Sequence, residues 1–189
     1  EQFRALAQET GAYLFITYTV GIEGQPWRNE SVMLSPAGEF SQVYGKNHTW
    51  MIGEPPTPSA GEFPVYDTPL GRLAAMICHD ANYTDVARKL TANGAQIITA
   101  PYREFGGFGE QAWTNALFRA VENRLPLLRC SNNGLTCWVD AWAFERLLER
   151  ESAERRIAVE RRIVESEHAA RALECHDEVT VEGNLLARQ

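Results

Sequence analysis

The sequence predicts an α/β protein, and three observations lead to this prediction. Short apolar segments alternate with segments of helical periodicity between residues 71 and 142. Two of the apolar segments, RLAAMIC (72–78) and AQIITAP (95–101), are nearly continuous, which is typical of strands covered on both faces. The chain has 189 residues and is 44% hydrophobic, enough to bury one sizeable core. Helices packed on a largely buried sheet follow from this pattern.

The first part of the chain predicts a helix and three strands. Residues 3–10 have helical spacing that ends at Gly11, and AYLFITYTV (12–20) is β-branched and aromatic, as buried strands are. The segments NESVMLS and EFSQVYGK flank residues 36–38, Pro-Ala-Gly, which predicts a hairpin. Residues 47–64 are rich in Pro and Gly and predict a long irregular loop, the kind of segment that often carries function.

The second part predicts a strand–helix alternation that ends in another hairpin. TDVARKLTANG predicts a helix with Thr84 as its N-cap and Gly94 at its end, and WTNALFRAVENR predicts a second helix. LPLLRC and LTCWVDAW predict two strands around residues 131–134, with Cys130 directly opposite Cys137 if the turn has two residues. Two packed thiols are favoured there over a disulfide, because cross-strand geometry strains the bond.

The sequence changes in composition at about residue 143. The segment FERLLERESAERRIAVERRIVESEHAARALE contains no Gly or Pro and is dense in Glu and Arg at helical spacings. It predicts a long charged helix, either a solvated surface or an interaction arm. We therefore expect one domain over residues 1–142 and a charged helical tail of unknown role over residues 143–189.

Composition argues against several classes of function. The net charge of −7 and pI near 5.2 disfavour binding to a nucleic acid backbone. No run of about 18 apolar residues is present, and the first residues lack the features of a signal peptide. The four cysteines are too few for a disulfide scaffold and form no C-x-x-C pair, so no metal or other cofactor is expected.

A cysteine lies where a predicted strand meets a predicted helix, in the segment MICHDANYTD. Consecutive strand residues point to opposite faces, so Cys78, His79 and Asp80 are not expected to form a triad; they are neighbours in sequence only. A sharp turn at Cys78 would present backbone N–H groups that lower a thiol pKa and bind an oxyanion. A lone cysteine at a strand end is more often a small buried hydrophobe, so a second motif is needed.

The second motif is YGKNHTWMIGE, residues 44–54. Lys46 ends a predicted strand, and Glu54 lies in the loop beyond it. Lys46 and Lys89 are the only lysines in a chain that otherwise uses arginine. A lysine retained at such a position indicates a role for a compact ammonium group.

The two motifs together resemble those of the carbon–nitrogen hydrolases of the nitrilase superfamily. YGKNHTWMIGE matches the family motif Y-x-K-x-H-L-x-P-F-G-E at five positions, and GRLAAMICHD matches G-x-x-x-x-x-I-C-Y-E/D. The segments GAQIITAP and RAVEN then follow in the family's order. The resemblance implies an αββα sandwich, incomplete in this chain, followed by the charged helix.

The resemblance also implies roles for individual residues. Cys78 would be the nucleophile that forms a thioester, and Lys46 would stabilise the tetrahedral intermediate together with the backbone N–H of His79. Glu54 matches a supporting glutamate of the family. Residues after the GAQIITAP strand are candidates for lining the pocket: Tyr102, Arg103 and Glu104.

Within the superfamily, residues 3–142 most resemble the apolipoprotein N-acyltransferase branch, through PLLRCSNNGLT and NESVMLSPAGEFSQVYGK. That branch implies acyl transfer from a phospholipid to a lipoprotein N-terminus, on the periplasmic face of the bacterial inner membrane. The short segment between Glu54 and Cys78 favours the alternative, a cytoplasmic amidase or carbamoylase acting on a small-molecule amide. Homo-oligomer formation stays open.

One family feature is missing from the sequence. The family's general base is a glutamate in a P-E motif before the helix at residues 3–10, and no glutamate of this chain has that context. Loss of a general base costs on the order of 10²–10⁴ in rate. The expectation is a fragment or a degenerate homologue, which adds a third alternative: an inactive chain acting as an interaction module through its charged helix.

Overall fold

The computed structural model describes residues 1–50, 53–104 and 109–142. Over these residues the chain forms two β-sheets with α-helices on their outer faces. The predicted α/β class is confirmed. The predicted charged helix of residues 143–189, and with it the domain boundary at residue 142, lies outside the described residues.

The first sheet is antiparallel and has three strands. Helix α1 (Gln2–Thr10) ends at Gly11, whose φ of 67° is left-handed, as predicted. Strand β1 (Leu14–Val20) pairs with β2 (Arg28–Leu34), which pairs with β3 (Tyr44–Gly45). The predicted second arm of the hairpin is mostly irregular: apart from β3, it contributes one isolated bridge between Phe40 and Leu34.

The second sheet has five strands in the order β4-β5-β6-β7-β8. Its bounds are β4 (Tyr66–Thr68), β5 (Gly71–Ala75), β6 (Ile97–Tyr102), β7 (Leu127–Ser131) and β8 (Cys137–Val139). Strands β5, β6 and β7 are parallel, and β4 and β8 flank them antiparallel. The carboxyl ends of the three parallel strands therefore lie at one edge of the sheet, where ligand sites of α/β proteins form.

Two helices connect the parallel strands. Helix α2 (Thr84–Ala92) joins β5 to β6, and α3 (Gly109–Asn123) joins β6 to β7. The predicted N-cap at Thr84 is wrong: Tyr83 occupies the cap position with extended φ and ψ of −116° and 145°, and Thr84 is the first helical residue. The cap position makes no side-chain hydrogen bond, because a tyrosine cannot reach the first backbone N–H groups as a short polar side chain does.

The sheets pack face to face between the two layers of helices. Phe15 and Met33 of the first sheet meet a second-sheet cluster around Tyr66, and the Phe15 and Tyr66 ring centroids are 6.0 Å apart. On the outer face of the first sheet, Ala7 of α1 packs on Ile16 and its neighbours. On the outer face of the second sheet, α2 and α3 cover the core with small and branched residues: Val86, Ala87, Leu90, Ala116 and Ala120. This layering is the αββα sandwich.

The hairpin of β7 and β8 has a wider turn than predicted. Arg129, and not Cys130, pairs with Cys137, so the predicted juxtaposition of the two cysteines is wrong. The Thr136 hydroxyl accepts a hydrogen bond from the Ser131 backbone N–H at 3.0 Å and closes the turn without a two-residue loop. Cys137 is a free, buried thiol.

Candidate active site

Cys78 lies on a sharp backbone turn just beyond β5. Its φ is 45°, in the left-handed region that non-glycine residues seldom adopt, and it begins a 3₁₀ turn that spans Cys78–Asn82. Backbone strain of this kind costs about 1–3 kcal/mol and is concentrated at functional sites. The predicted turn from strand to helix is confirmed, and Cys78 starts the turn instead of ending the strand.

The thiol of Cys78 is surrounded by backbone groups and one ammonium group. Its sulfur lies 3.9 Å from the carbonyl oxygen of Arg103, toward which the S–H points, and the backbone N–H of His79 donates to the sulfur. Burial raises the pKa of the thiol above its ordinary value of 9.0, and the nearby Lys46 ammonium opposes that shift. The resemblance assigns roles to the Cys78 thiol, the Lys46 ammonium and the His79 backbone N–H. The structure places these three groups close together.

Lys46, which is buried, forms an ion pair with the half-buried Glu54. The Lys46 ammonium nitrogen is 2.9 Å from Glu54 Oε1 and 2.7 Å from Oε2, and Lys46 is only 4% exposed. Glu54 also accepts hydrogen bonds from the Asn29 side-chain amide and, at 2.6 Å, from the Trp50 backbone N–H. Burial alone would raise the pKa of Glu54, but the hydrogen bonds from Lys46 and Trp50 outweigh it and lower the pKa.

Asp80 connects the cysteine turn to the lysine segment. Its fully buried carboxylate accepts hydrogen bonds from the Ile77 backbone N–H at 2.9 Å, and from the Asn47 and His48 backbone N–H groups at 3.1 Å and 2.7 Å. These bonds are to backbone N–H groups and not to the Cys78 thiol, so the structure gives no contradiction to the expectation that Asp80 is no triad partner of the cysteine. The carboxylate fixes the segment just after Lys46 relative to the turn that carries the thiol.

The pocket candidates differ in their surroundings. Tyr102 and Glu104 are buried, and Arg103 is exposed and contributes its backbone carbonyl at the thiol. Glu104 forms an ion pair with Arg129, which is fully buried, and the guanidinium carbon of Arg129 lies 4.3 Å from the Tyr102 ring centroid. Burial lowers the pKa of Arg129, an effect opposed chiefly by Tyr102.

Aromatic rings line the side of the site next to His79. The His48 imidazole stacks on Tyr83 at 3.9 Å between centroids, and His79 meets Tyr83 edge-on at 5.3 Å. Trp50 meets His79 edge-on at 5.0 Å. His48 also contacts Asp85, with 2.7 Å between Nε2 and Oδ1. Trp50 and Tyr83 are both exposed, so they form a π-rich rim beside the cysteine turn.

Comparison with protein families identifies the source of this arrangement. The family model described as carbon-nitrogen hydrolase matches residues 1–159. The chain belongs to the carbon–nitrogen hydrolase family. The match includes both the lysine segment (residues 44–54) and the cysteine turn (residues 78–82), so both lie in the part of the chain that resembles the family.

Named relatives of the chain include formamidases and an amidase. A formamidase of Allorhizobium ampelinum is 34% identical over 109 residues, which covers 54% of this chain and 31% of that enzyme. A deaminated glutathione amidase of Yersinia enterocolitica is 31% identical over 133 residues, covering 59% and 46%. The chain thus spans less than half the length of these curated relatives.

Solved structures share the fold. A carbon-nitrogen hydrolase of Helicobacter pylori G27 superposes with a TM-score of 0.62 at 25% identity, over 74% of this chain and 58% of that one. An amidase from Nesterenkonia sp. superposes with a TM-score of 0.61 at 22% identity, over 69% of this chain and 50% of that one. The two-sheet sandwich is therefore the family fold.

Two residues at the site were not singled out from the sequence. Asp80 has a structural role that the sequence does not indicate, because the 3₁₀ turn brings its carboxylate back to the Ile77 N–H. Arg129 was treated as part of a strand, and its signal was an arginine inside the apolar segment LPLLRC, which requires a buried partner. Across residues 1–50, 53–104 and 109–142, no helix is long and apolar enough to cross a bilayer, and no group of three metal-ligating side chains occurs.

Proposed function

We propose that the chain carries part of the active site of an amide hydrolase, with Cys78 as the nucleophile. The Cys78 sulfur adds to the carbonyl carbon of a small-molecule amide and forms a C–S bond. The C–N bond then breaks, and the amine leaves with the proton that the thiol gave up. Water cleaves the resulting thioester, which releases a carboxylic acid and restores the thiol.

The residues around the sulfur suit this chemistry. Negative charge develops on the carbonyl oxygen during the addition, and the Lys46 ammonium and the His79 backbone N–H are the donors available beside the sulfur. Glu54 holds Lys46 by two hydrogen bonds, so the ammonium is fixed in position before the substrate binds. The observation that carries the proposal is the placement of a buried, carboxylate-held ammonium next to a thiol on a strained turn.

The relatives support an amide as the substrate. Formamidases and a deaminated glutathione amidase are among the curated matches, and one structure of the Nesterenkonia amidase is described with the acetamide moiety of fluoroacetamide added at its active site cysteine. The sequence as given has no glutamate in the P-E context of the family base. In a chain without this base, hydrolysis of the thioester is expected to be slower by roughly 10²–10⁴ than at a site that has it.

Acyl transfer to a lipoprotein N-terminus is the second candidate. The segment PLLRCSNNGLT, which contains the buried Arg129 and the turn at Gly134, favours it through its resemblance to the acyltransferase branch. Phospholipid and lipoprotein would then be the partners, and the inner membrane the site of action. We rank it below hydrolysis because the named relatives are amidases and formamidases.

An acylation experiment tests both candidates. The chain is incubated with p-nitrophenyl acetate or p-nitrophenyl palmitate, and intact mass is followed for the native chain, Cys78→Ala and Cys137→Ala. The buried thiol of Cys137 makes the last variant a matched control. Amide hydrolysis predicts an acetyl adduct that disappears only in Cys78→Ala, with ammonia released from formamide or propionamide. A palmitoyl adduct without an acetyl adduct would favour the acyltransferase, and the absence of any adduct dependent on Cys78 would contradict both.

A further inference from the structure

A buried asparagine contacts both residues of the ion pair at the candidate active site. Asn29 lies in β2 and is 7% exposed. Its side-chain amide donates a hydrogen bond to Glu54 Oε1, and its backbone carbonyl accepts one from the Lys46 backbone N–H at 2.9 Å. Asn29 therefore joins the strand that precedes the lysine segment to both ends of that segment.

The loop that follows Glu54 is fixed to the same residue. The backbone N–H of Asn29 donates to the hydroxyl of Thr57 at 3.1 Å, and Thr57 is buried. The contacts of Asn29 with Lys46 and Thr57 use its backbone, so any side chain at this position keeps them. The side-chain amide is thus the part of Asn29 that acts on Glu54 alone.

The amide of Asn29 has a polar partner on one side only. Its nitrogen donates to Glu54, whereas its oxygen is buried and accepts no hydrogen bond within the residues that the structure describes. A buried acceptor without a donor costs stability, so a purely structural position favours an apolar side chain here. The retained amide indicates that the hydrogen bond to the carboxylate serves the site.

Both charges of the ion pair act on the Cys78 thiol. Burial raises the pKa of the thiol, the Lys46 ammonium lowers it, and the Glu54 carboxylate raises it. A donor bonded to Glu54 disperses part of its negative charge and so limits its repulsion of a thiolate. Without the amide of Asn29, the carboxylate would repel the thiolate more strongly and would be held less firmly against Lys46.

We propose that Asn29 is a positioning residue of the candidate active site: its amide holds the Glu54 carboxylate against Lys46, and through this pair it sets the reactivity of the Cys78 thiol. The inference rests on the proposed function, which it deepens by adding a residue that acts through Glu54.

The pH profile of Cys78 alkylation by iodoacetamide tests the proposal. Rates are measured by peptide mass mapping for the native chain, Asn29→Leu and Asn29→Asp. Leucine has a similar volume but no donor, and aspartate has the same shape but adds a negative charge beside Glu54. Asn93 supplies the matched controls, because its side-chain amide donates to the Phe63 carbonyl at 2.8 Å and holds the same loop farther along the chain. Asn93→Leu and Asn93→Asp make the same changes in volume and net charge, and urea denaturation checks that each variant is folded.

We expect the rise of the profile to move to higher pH in Asn29→Leu, with alkylation at pH 8 slower by roughly three- to tenfold, the effect of one hydrogen bond. Asn29→Asp should move it further, and both Asn93 variants should keep the native profile. An unmoved profile in Asn29→Leu, or equal shifts at positions 29 and 93, overturns this inference. A rate that falls equally at every pH overturns it too, because a merely structural role gives that result. Asn29→Leu decides the matter if Asn29→Asp does not fold.

A rescue variant provides a second test. Asn29→Asp combined with Glu54→Gln leaves one carboxylate and one amide beside Lys46, with their positions exchanged. Its profile should return toward that of the native chain, and a profile shifted beyond that of Asn29→Asp alone contradicts the inference. Failure of the native chain to form an acyl adduct at Cys78 with p-nitrophenyl acetate contradicts the proposed function instead, so the two failures are distinguishable.

Discussion

The hydroxyl of Tyr44 donates a hydrogen bond to Asp80 Oδ2 at 2.6 Å, and this contact joins the two sheets at the candidate active site. Tyr44 belongs to β3 of the first sheet, two residues before Lys46, whereas Asp80 lies in the turn that begins at Cys78 after β5 of the second sheet. Both side chains are fully buried. Burial, with the adjacent Asp80 carboxylate, raises the pKa of Tyr44 well above its ordinary value. The bond therefore persists across the physiological pH range as a fixed link between the lysine and cysteine segments.

Replacement of Asp80 by asparagine tests that link. The asparagine side chain keeps the volume but presents an NH₂ group in place of one acceptor oxygen, toward donors that include the Ile77 and His48 backbone N–H groups. We expect Asp80→Asn to lower the free energy of unfolding by about 1–3 kcal/mol, measured by urea denaturation, and to slow alkylation of Cys78. Asp67→Asn, on an exposed position of β4, should change neither. Equal unfolding midpoints for the native chain and Asp80→Asn would show that the carboxylate does not hold the segments together.

Removal of the Lys46 ammonium should make Cys78 a poorer nucleophile. Burial raises the pKa of the thiol, and Lys46 partly offsets this effect by stabilising the thiolate. With Lys46→Met we expect the pKa to rise further and alkylation by iodoacetamide at pH 8 to slow by roughly tenfold. The measurement is the pH profile of the alkylation rate, whose rise should move to higher pH in the variant.

The second lysine of the chain supplies the control. Lys89 is exposed and pairs with Asp85 at 2.9 Å on the surface of α2. Lys89→Met therefore changes the net charge of the chain by the same amount as Lys46→Met. Its alkylation profile should match that of the native chain. If both variants shift the profile equally, the effect belongs to the net charge of the protein and the special position of Lys46 is refuted.

The fold was largely predictable from the sequence, because strands such as β1 and β6 are mostly apolar and β-branched, and the first two helices are followed by Gly11 and Gly94. The predicted placement of Lys46 beside Cys78 came from the family motifs, since the two residues follow strands of different sheets and no local pattern joins them. The structural role of Asp80 was not predictable, because the carboxylate bonds to the Asn47 and His48 backbone N–H groups, which are distant in sequence. The register of Cys137 was missed because the side chain of Thr136 closes the turn, and turn residues alone do not reveal such a contact.

Acid should lower the free energy of unfolding of the native chain through protonation of Glu54. The pKa of Glu54 is lowered in the folded state, so the unfolded state binds more protons as pH falls below the ordinary value of 4.5. The stabilisation is therefore complete above about pH 4.5 and is lost as pH falls through the folded-state pKa. Glu54→Gln cannot titrate, so its deficit in unfolding free energy should be largest near neutral pH and shrink in acid. Glu39→Gln, at an exposed position, should show no such convergence. A deficit that is constant with pH would contradict the assignment.

The ion pair of Arg129 and Glu104 should contribute more to specificity of structure than to stability. Arg129→Leu leaves the Glu104 carboxylate buried without its cation, and we expect a loss of about 3–5 kcal/mol in the free energy of unfolding. The double variant Arg129→Leu with Glu104→Leu removes both charges, and it should recover most of that loss, because paired burial of charges gains little over apolar contacts. Arg4→Leu, at an exposed position on α1, serves as the control and should stay within about 0.5 kcal/mol of the native chain. Denaturation of the four proteins measures the differences. A double variant as unstable as Arg129→Leu would mean that the guanidinium acts through its stacking on Tyr102 and its hydrogen bond to the Leu135 carbonyl, and not through the charge of Glu104.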